Sequence, residues 1–289
     1  MELNSILFPA PPPSYIVTDY PNELIWIPQE KNPKTSIPCL LLQSKKGSSK
    51  LMLYFHGNAE DIGLTYNLID FLRNMLGIHI LAAEYPGYGL YPGKANALQI
   101  IEDAETVFKF VENTLKIDTK NILIFGRSIG SGPATWLARN QNPGCLILMS
   151  AYTSIRAVVK NVAGRLAQYL VAERFKNIDC MPEILCPTFF LHGLKDKLIP
   201  YSHSQKMHEL CNGLTYLHLP SEMDHNNFDI FEDLLIPLGS FLINAQIDVN
   251  PGNAGKNFIS VPEEYFHIPT TQPSKKNKGR LNKFMRKFA

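Results

Sequence analysis

Long apolar runs are missing from this sequence of 289 residues. None reaches the roughly 18 residues that a membrane-crossing helix needs, so no transmembrane segment is expected. The first apolar stretch ends at Pro9 and runs into Pro11–Pro13, too short for the core of a signal peptide, and none is expected. Met1-Glu2 lacks the N-myristoylation pattern, and Lys287-Phe288-Ala289 lacks that of prenylation. Cysteine is scarce. Cys39, Cys145, Cys180, Cys186 and Cys211 are odd in number and hold no close C-x-x-C pair, which argues against a disulfide framework and a structural zinc site. Cys145 lies in an apolar run and reads as a small core residue, and all five read as reduced cytosolic thiols. No G-x-G-x-x-G opens a strand–helix–strand unit, which excludes the dinucleotide-binding pattern. There is no internal repeat.

What is present fits a soluble globular enzyme: 45% hydrophobic and 19% charged residues. The length predicts one large domain with an appendage, and it is enough to bury a core without cross-links. The net charge of +2 hides an asymmetry. Residues 274–289 carry seven of the 28 basic residues and no acid, so the other 21 face all 26 acidic ones. The body is mildly acidic, not the profile of a nucleic-acid-binding domain.

Short Ile-, Thr- and Leu-rich segments between Tyr15 and Leu42 predict an N-terminal antiparallel pair of strands. The rhythm then changes. Compact apolar strands are predicted at Leu51–Phe55, Ile78–Ala83, Asn121–Phe125, Cys145–Met149, Thr188–Leu191 and Thr215–Leu219. Between and after them, helical periodicity runs through Leu64–Leu76, Ala95–Leu115, Ile129–Arg139, Ser202–Cys211 and Asn226–Ile243. Alternating strands and helices predict a mostly parallel sheet of about eight strands, with helices on both faces. Strands buried on both sides should be continuously apolar, as these are. Residues 155–181 interrupt the alternation with a helical stretch around Val158–Phe175, placed to form a short lid. The domain is expected to span residues 1–245, and residues 246–289 to form a linker and a basic C-terminal extension.

Gly126-Arg127-Ser128-Ile129-Gly130 carries the clearest chemical signal. In G-x-S-x-G a serine sits on a tight strand-to-helix turn, and bulk two residues either side would clash. A predicted strand before it and a helix after it supply the context the motif requires. Ser128 is therefore the candidate nucleophile, with Ser131 an ordinary neighbour. The N–H of Ile129 offers one donor to an oxyanion. The second donor is expected from the N–H of Asn58, in His56-Gly57-Asn58-Ala59 after a buried strand. His56 itself reads as a structural histidine. Of eight histidines, His225 lies between the last strand and the last core helix, where a general base for Ser128 belongs. Asp196, in the loop after Thr188–Leu191, is the expected orienting acid. Asp224 is its rival, but a sequence neighbour rarely reaches its own histidine's ring. Ser128, Asp196 and His225 stand in the chain order of α/β-hydrolase triads.

From about Leu7 to Leu242 the chain resembles the alpha/beta hydrolase domain 17 depalmitoylases. The resemblance is carried by Phe8-Pro9 with Pro13-Ser14-Tyr15, by Tyr54-Phe55-His56-Gly57-Asn58-Ala59-Glu60-Asp61 and by Glu84-Tyr85-Pro86-Gly87-Tyr88-Gly89. Gly126 through Pro133, Ala151-Tyr152-Thr153-Ser154, His192-Gly193 through Asp196, and His225-Asn226 complete it in order. It implies an α/β-hydrolase fold and a membrane-associated serine hydrolase that cleaves palmitoyl thioesters from protein cysteines, with Ser128, Asp196 and His225 as triad. No metal or organic cofactor is expected. The chain departs from the family in having no cysteine among its first 38 residues, where animal members are palmitoylated, and in Glu84 and Tyr91, where Asp and Ser are usual. Within the tail, Leu281, Phe284, Met285 and Phe288 recur at helical spacing among Lys and Arg, the pattern of an interfacial anchor for an anionic membrane surface. A solvated basic tail is the alternative. The expected location is cytoplasmic, peripheral at the cytosolic face of membranes. Rival functions are a monoacylglycerol or lysophospholipid lipase and a non-catalytic relative used for binding. A peptidase is disfavoured because nothing resembles a gating domain.

Overall fold

The computed structural model describes residues 8–249 and 257–269. Its strands are β1 (Leu24–Pro28), β2 (Ser36–Leu42), β3 (Leu51–Phe55), β4 (His79–Ala83), β5 (Ile122–Arg127), β6 (Cys145–Met149), β7 (Thr188–Leu191) and β8 (Thr215–His218). They form one eight-stranded sheet in the order β1-β2-β4-β3-β5-β6-β7-β8. β1 pairs with β2, and β2 with β4, antiparallel. All later pairings are parallel.

The strand sequences explain this arrangement. β3 (LMLYF) and β6 (CLILM) are buried at every position because both faces of the sheet are covered. Strand alternation divides the core in two: Leu51, Leu53 and Phe55 enter one cluster, Met52 and Tyr54 the other. The helices are α1 (Tyr66–Leu76), α2 (Ala97–Asn113), α3 (Ser131–Gln141), α4 (Ile155–Ala163), α5 (Asn177–Cys180), α6 (Ser202–Leu210) and α7 (Ile236–Asn244). α1 and α7 cover one face through Ile69, Leu72, Leu238 and Phe241. α2, α3 and α6 cover the other through Ile100, Val107, Leu137 and Met207. Each such buried side chain contributes about 1.5–3 kcal/mol. The ends are set locally. Asn96 accepts the Leu98 N–H to start α2, and Gly77 (φ 66°) takes the left-handed conformation that stops α1.

Three helices differ from their periodicity. The one expected at Ile129 begins with a tight 3₁₀ turn at Ser128–Gly130, and α3 proper starts at Ser131. The lid helix ends at Ala163 because Gly164 turns the chain with φ 89°. A 3₁₀ turn follows at Ala167–Leu170. The last helix does not begin at Asn226. There the Asp224 carboxylate accepts the N–H groups of Asn226 and Asn227, both at 2.8 Å, and holds a loop. A wide π turn, Ile230–Leu235, then leads into α7. Residues 257–269, within the expected linker, lie against the body. Gln43 exchanges two hydrogen bonds with Ile259 (3.0 and 2.9 Å), and the Tyr265 ring lies 4.7 Å from that of Phe110. The basic stretch 274–289 lies outside the described residues. No described helix is long and apolar enough to cross a membrane.

Candidate active site

Parallel strands carry their functional loops at their C-terminal ends, and the predicted site residues all emerge there, after β3, β5, β7 and β8. Ser128 follows β5 with φ 50°, a left-handed conformation that a non-glycine residue rarely adopts. The two glycines that flank it are spatial necessities. A Cβ on Gly130 would lie 2.2 Å from the Phe55 carbonyl oxygen, and one on Gly126 would lie 2.6 Å from the Ala134 Cβ. The turn therefore presses against β3, and Ser128 Oγ is raised over the sheet's edge.

The three predicted residues meet. His225 Nδ1 is 2.7 Å from Asp196 Oδ2, and His225 Nε2 is 3.1 Å from Ser128 Oγ. A carboxylate only accepts, so Nδ1 carries the proton and Nε2 is left to accept from the Ser128 hydroxyl. Asp196 is the better-supported of the two rival acids. Its Oδ1 accepts the N–H groups of Leu198 (2.9 Å) and Ile199 (2.8 Å). Burial pushes its carboxyl up, but hydrogen bonds from His192 and His225 outweigh that and hold it well below the usual carboxylate range. Asp224 is only partly buried and occupied with its own loop.

Ser128, His225, Asn58 and Ile129 line one cavity of about 720 Å³. Arg127, Glu60 and Asn226 lie on its polar side. The lid supplies an apolar wall: Val158, Val159, Val162, Ala167, Leu170 and Val171. The predicted oxyanion donors thus border the space in which an acyl carbonyl would sit. A second cavity, of about 710 Å³, contains none of these residues. It is bordered by Lys45, Arg73 and Ile243 at the other end of the parallel strands.

His56 is the structural histidine expected. It is fully buried and stacks on Tyr85 at 4.0 Å. Its Nδ1 faces the Gly57 carbonyl (2.8 Å) and its Nε2 the Glu84 carboxylate (3.0 Å), so both nitrogens donate. Burial lowers its pKa, but the Glu84 hydrogen bond and charge more than offset this and raise it. Glu84 also accepts from Tyr15 Oη (3.0 Å) and the Ile62 N–H (3.3 Å), tying the N-terminal arm to the loop that carries Asn58.

Three residues around the site have roles that the sequence does not announce. His192 Nε2 donates to the Ile199 carbonyl (2.7 Å) and stands 3.4 Å from Asp196 Oδ2, so a second imidazole steadies the acid. Arg127 binds both oxygens of Glu60 (3.0 and 2.9 Å) and the His225 carbonyl (3.3 Å). His203 contacts Thr153 Oγ1 (2.9 Å) and Asn161 Nδ2 of α4 (2.9 Å), joining α6 to the lid. His192 and Arg127 lie inside quoted motifs, so their positions were visible. The partners, 67 and 98 positions from Arg127, were not.

Comparison with known proteins agrees with this fold. No family model matches the chain. The chain is 25% identical over 261 residues to the alpha/beta hydrolase domain-containing protein aho-3 of Caenorhabditis elegans, covering 83% of this chain and 77% of that protein. This chain has the α/β-hydrolase fold. To the human alpha/beta hydrolase domain-containing protein 17B it is 26% identical over 213 residues, covering 74% of this chain and 73% of the relative. The family that the motifs resemble is thus the one that the wider comparison finds. In fold, the chain matches an esterase of Pyrococcus furiosus with a TM-score of 0.65 at 18% identity, covering 81% of this chain and 98% of that one.

Proposed function

We propose that this hydrolase is a serine enzyme that cleaves acyl thioesters, with palmitoyl groups on protein cysteines as its substrate class. The observation that carries the reading is the continuous line Asp196–His225–Ser128 opening onto an apolar-walled cavity. Ser128 Oγ attacks the acyl carbonyl as His225 Nε2 takes its proton. The oxyanion rests on the N–H groups of Asn58 and Ile129, each such donor being worth about 2.7–4 kcal/mol in the transition state. The C–S bond breaks and the cysteine sulfur departs with the proton from His225. A free thiol's pKa of about 8.5 makes it a better leaving group than an amine. Water then gives His225 a proton and attacks the acyl-enzyme, releasing the fatty acid and restoring Ser128. Asp196 keeps the imidazole in the required tautomer throughout. The lid side chains would hold the acyl arm, and the side formed by Arg127, Glu60 and Asn226 would face the leaving group.

Labelling by a fluorophosphonate probe, with Ser128→Ala alongside, tests the nucleophile. Labelling of the native protein alone supports it, and labelling of both proteins overturns it. Rates on a palmitoylated peptide and on a monoacylglycerol then separate thioesterase from lipid esterase. We also place the protein at the cytosolic face of membranes, held by residues 274–289. That placement rests on the basic and apolar pattern of their sequence. Deleting residues 274–289 should release the protein from vesicles containing anionic lipid; undiminished binding refutes the tether.

A further inference from the structure

Three loops converge on Ser128, and their mutual positions are fixed in different ways. The serine turn is keyed to β3 by backbone, through the Phe55–Gly126 register and the close seat of Gly130 on Phe55. The acid and histidine loops are also joined by backbone. The Leu194 N–H donates to the Pro220 carbonyl (3.0 Å) and that of Lys195 to the Met223 carbonyl (3.0 Å). The remaining joint, between the loop of Asn58 and the loop of His225, is made by side chains, and Arg127 is at its centre.

We propose that Arg127 and Glu60 form a positioning bridge that sets the distance between the oxyanion donors and the general base. The inference rests on the catalytic reading of Ser128 and His225. Arg127 Nη1 lies 3.0 and 2.9 Å from the two Glu60 oxygens. Its Nη2 donates to the His225 carbonyl and to Asn226 Oδ1, both at 3.3 Å. Glu60 Oε1 in turn accepts the Gly57 N–H at 2.5 Å, immediately before Asn58. Gly57 makes the approach possible, since a Cβ there would lie 2.6 Å from that carboxylate oxygen. The Phe228 ring supports the guanidinium from 5.9 Å, and the pair is largely withdrawn from water, at 13% and 18% exposure. Planar guanidinium geometry lets one side chain hold two loops at once, which a lysine ammonium cannot reproduce. Arg127 adjoins Ser128, so the bridge is referenced to the nucleophile itself.

The test uses the full chain with Arg127→Gln, Glu60→Gln, the double variant and Arg127→Lys. Hydrogen exchange reads the bridge without relying on activity. Either single variant should raise exchange in both residues 57–61 and 223–228 by about 10-fold, with the sheet unchanged. The double variant should add little. Loosening confined to one loop, spread through the whole protein, or additive in the double variant overturns the proposal. In kinetics on a soluble short-chain ester, normalised to fluorophosphonate-titrated sites, kcat should fall by about 10²-fold with KM nearly unchanged. Arg127→Lys should restore only part of it. Unchanged kcat per titrated site in a variant with loosened loops overturns the positioning role. A native protein that the probe does not label, yet whose loops loosen together, refutes the catalytic reading and leaves the bridge standing.

Discussion

Replacing Asp196 by Asn changes one oxygen to NH₂ and almost nothing in volume. Oδ1 is engaged by two backbone donors, Leu198 and Ile199 N–H, so the amide oxygen must stay there. The new NH₂ then occupies the Oδ2 position, 2.7 Å from His225 Nδ1 and 3.4 Å from His192 Nε2. Both nitrogens now carry protons that face it. His192 cannot yield, because its Nε2–H is committed to Ile199 and its Nδ1 lies 2.7 Å from Ser204 Oγ. His225 must move its proton to Nε2, placing N–H against Ser128 Oγ and leaving no lone pair to accept the serine proton. The expected loss in kcat is about 10⁴-fold, or about 5.4 kcal/mol of transition-state stabilisation. KM should change little, since no cavity wall moves. The assay is steady-state hydrolysis of a soluble chromogenic ester at neutral pH, with folding checked by circular dichroism. A loss smaller than about 10-fold in a folded variant, or one expressed wholly in KM, refutes the tautomer argument. The lowered Asp196 pKa adds a stability consequence. Native Asp196 contributes stability above the ordinary aspartate range, and that contribution is lost as pH falls through the depressed native value. The acid-side unfolding curve of Asp196→Asn should therefore be flatter.

Gly130→Ala should cost about 1–3 kcal/mol, roughly 2–4 °C of Tm per kcal/mol, because its Cβ would meet the Phe55 backbone oxygen at 2.2 Å. An unaltered Tm with full activity would show that the turn has slack. Val158→Trp adds bulk to the lid wall of the cavity and should cut kcat/KM on a sixteen-carbon ester by about 10-fold or more relative to a four-carbon one. Equal losses on both would place the acyl arm elsewhere. Burial, with the charges of His192 and Lys206, pushes His203 down to about 4, so the ring is neutral in the folded state at neutral pH. Because the folded pKa is lowered, the stability it confers is complete above about 6.5 and declines as pH falls toward 4. His203→Gln should flatten Tm across that window, and an unchanged slope would mean that another group dominates it.

Some of this architecture was legible and some was not, and the division follows the range of the forces involved. β3 and β6 announce themselves because burial on both faces leaves no polar position to confuse with a surface strand. Ser128 is legible because its turn imposes glycine on both sides within five residues. Asp196 and His225 are legible because topology fixes which loops can reach that turn. Helix boundaries fared worse at the lid and after His225. There, a left-handed Gly164 and the Asp224 loop override the apolar periodicity that continues through them.

Least legible were the polar links: Arg127 to Glu60 and His225, His203 to Asn161, and Tyr15 to Glu84. A buried charged group has no sequence pattern of its own, because its partner can come from any loop that ends nearby. Its cost without a partner is nevertheless high. Arg127 stands as the variable residue of a motif whose fixed positions are explained by the turn alone. It is nonetheless the side chain that joins two loops of the site. The motif's fixed letters describe how Ser128 is presented, whereas the setting of its partners depends on Arg127, a position that the motif leaves free.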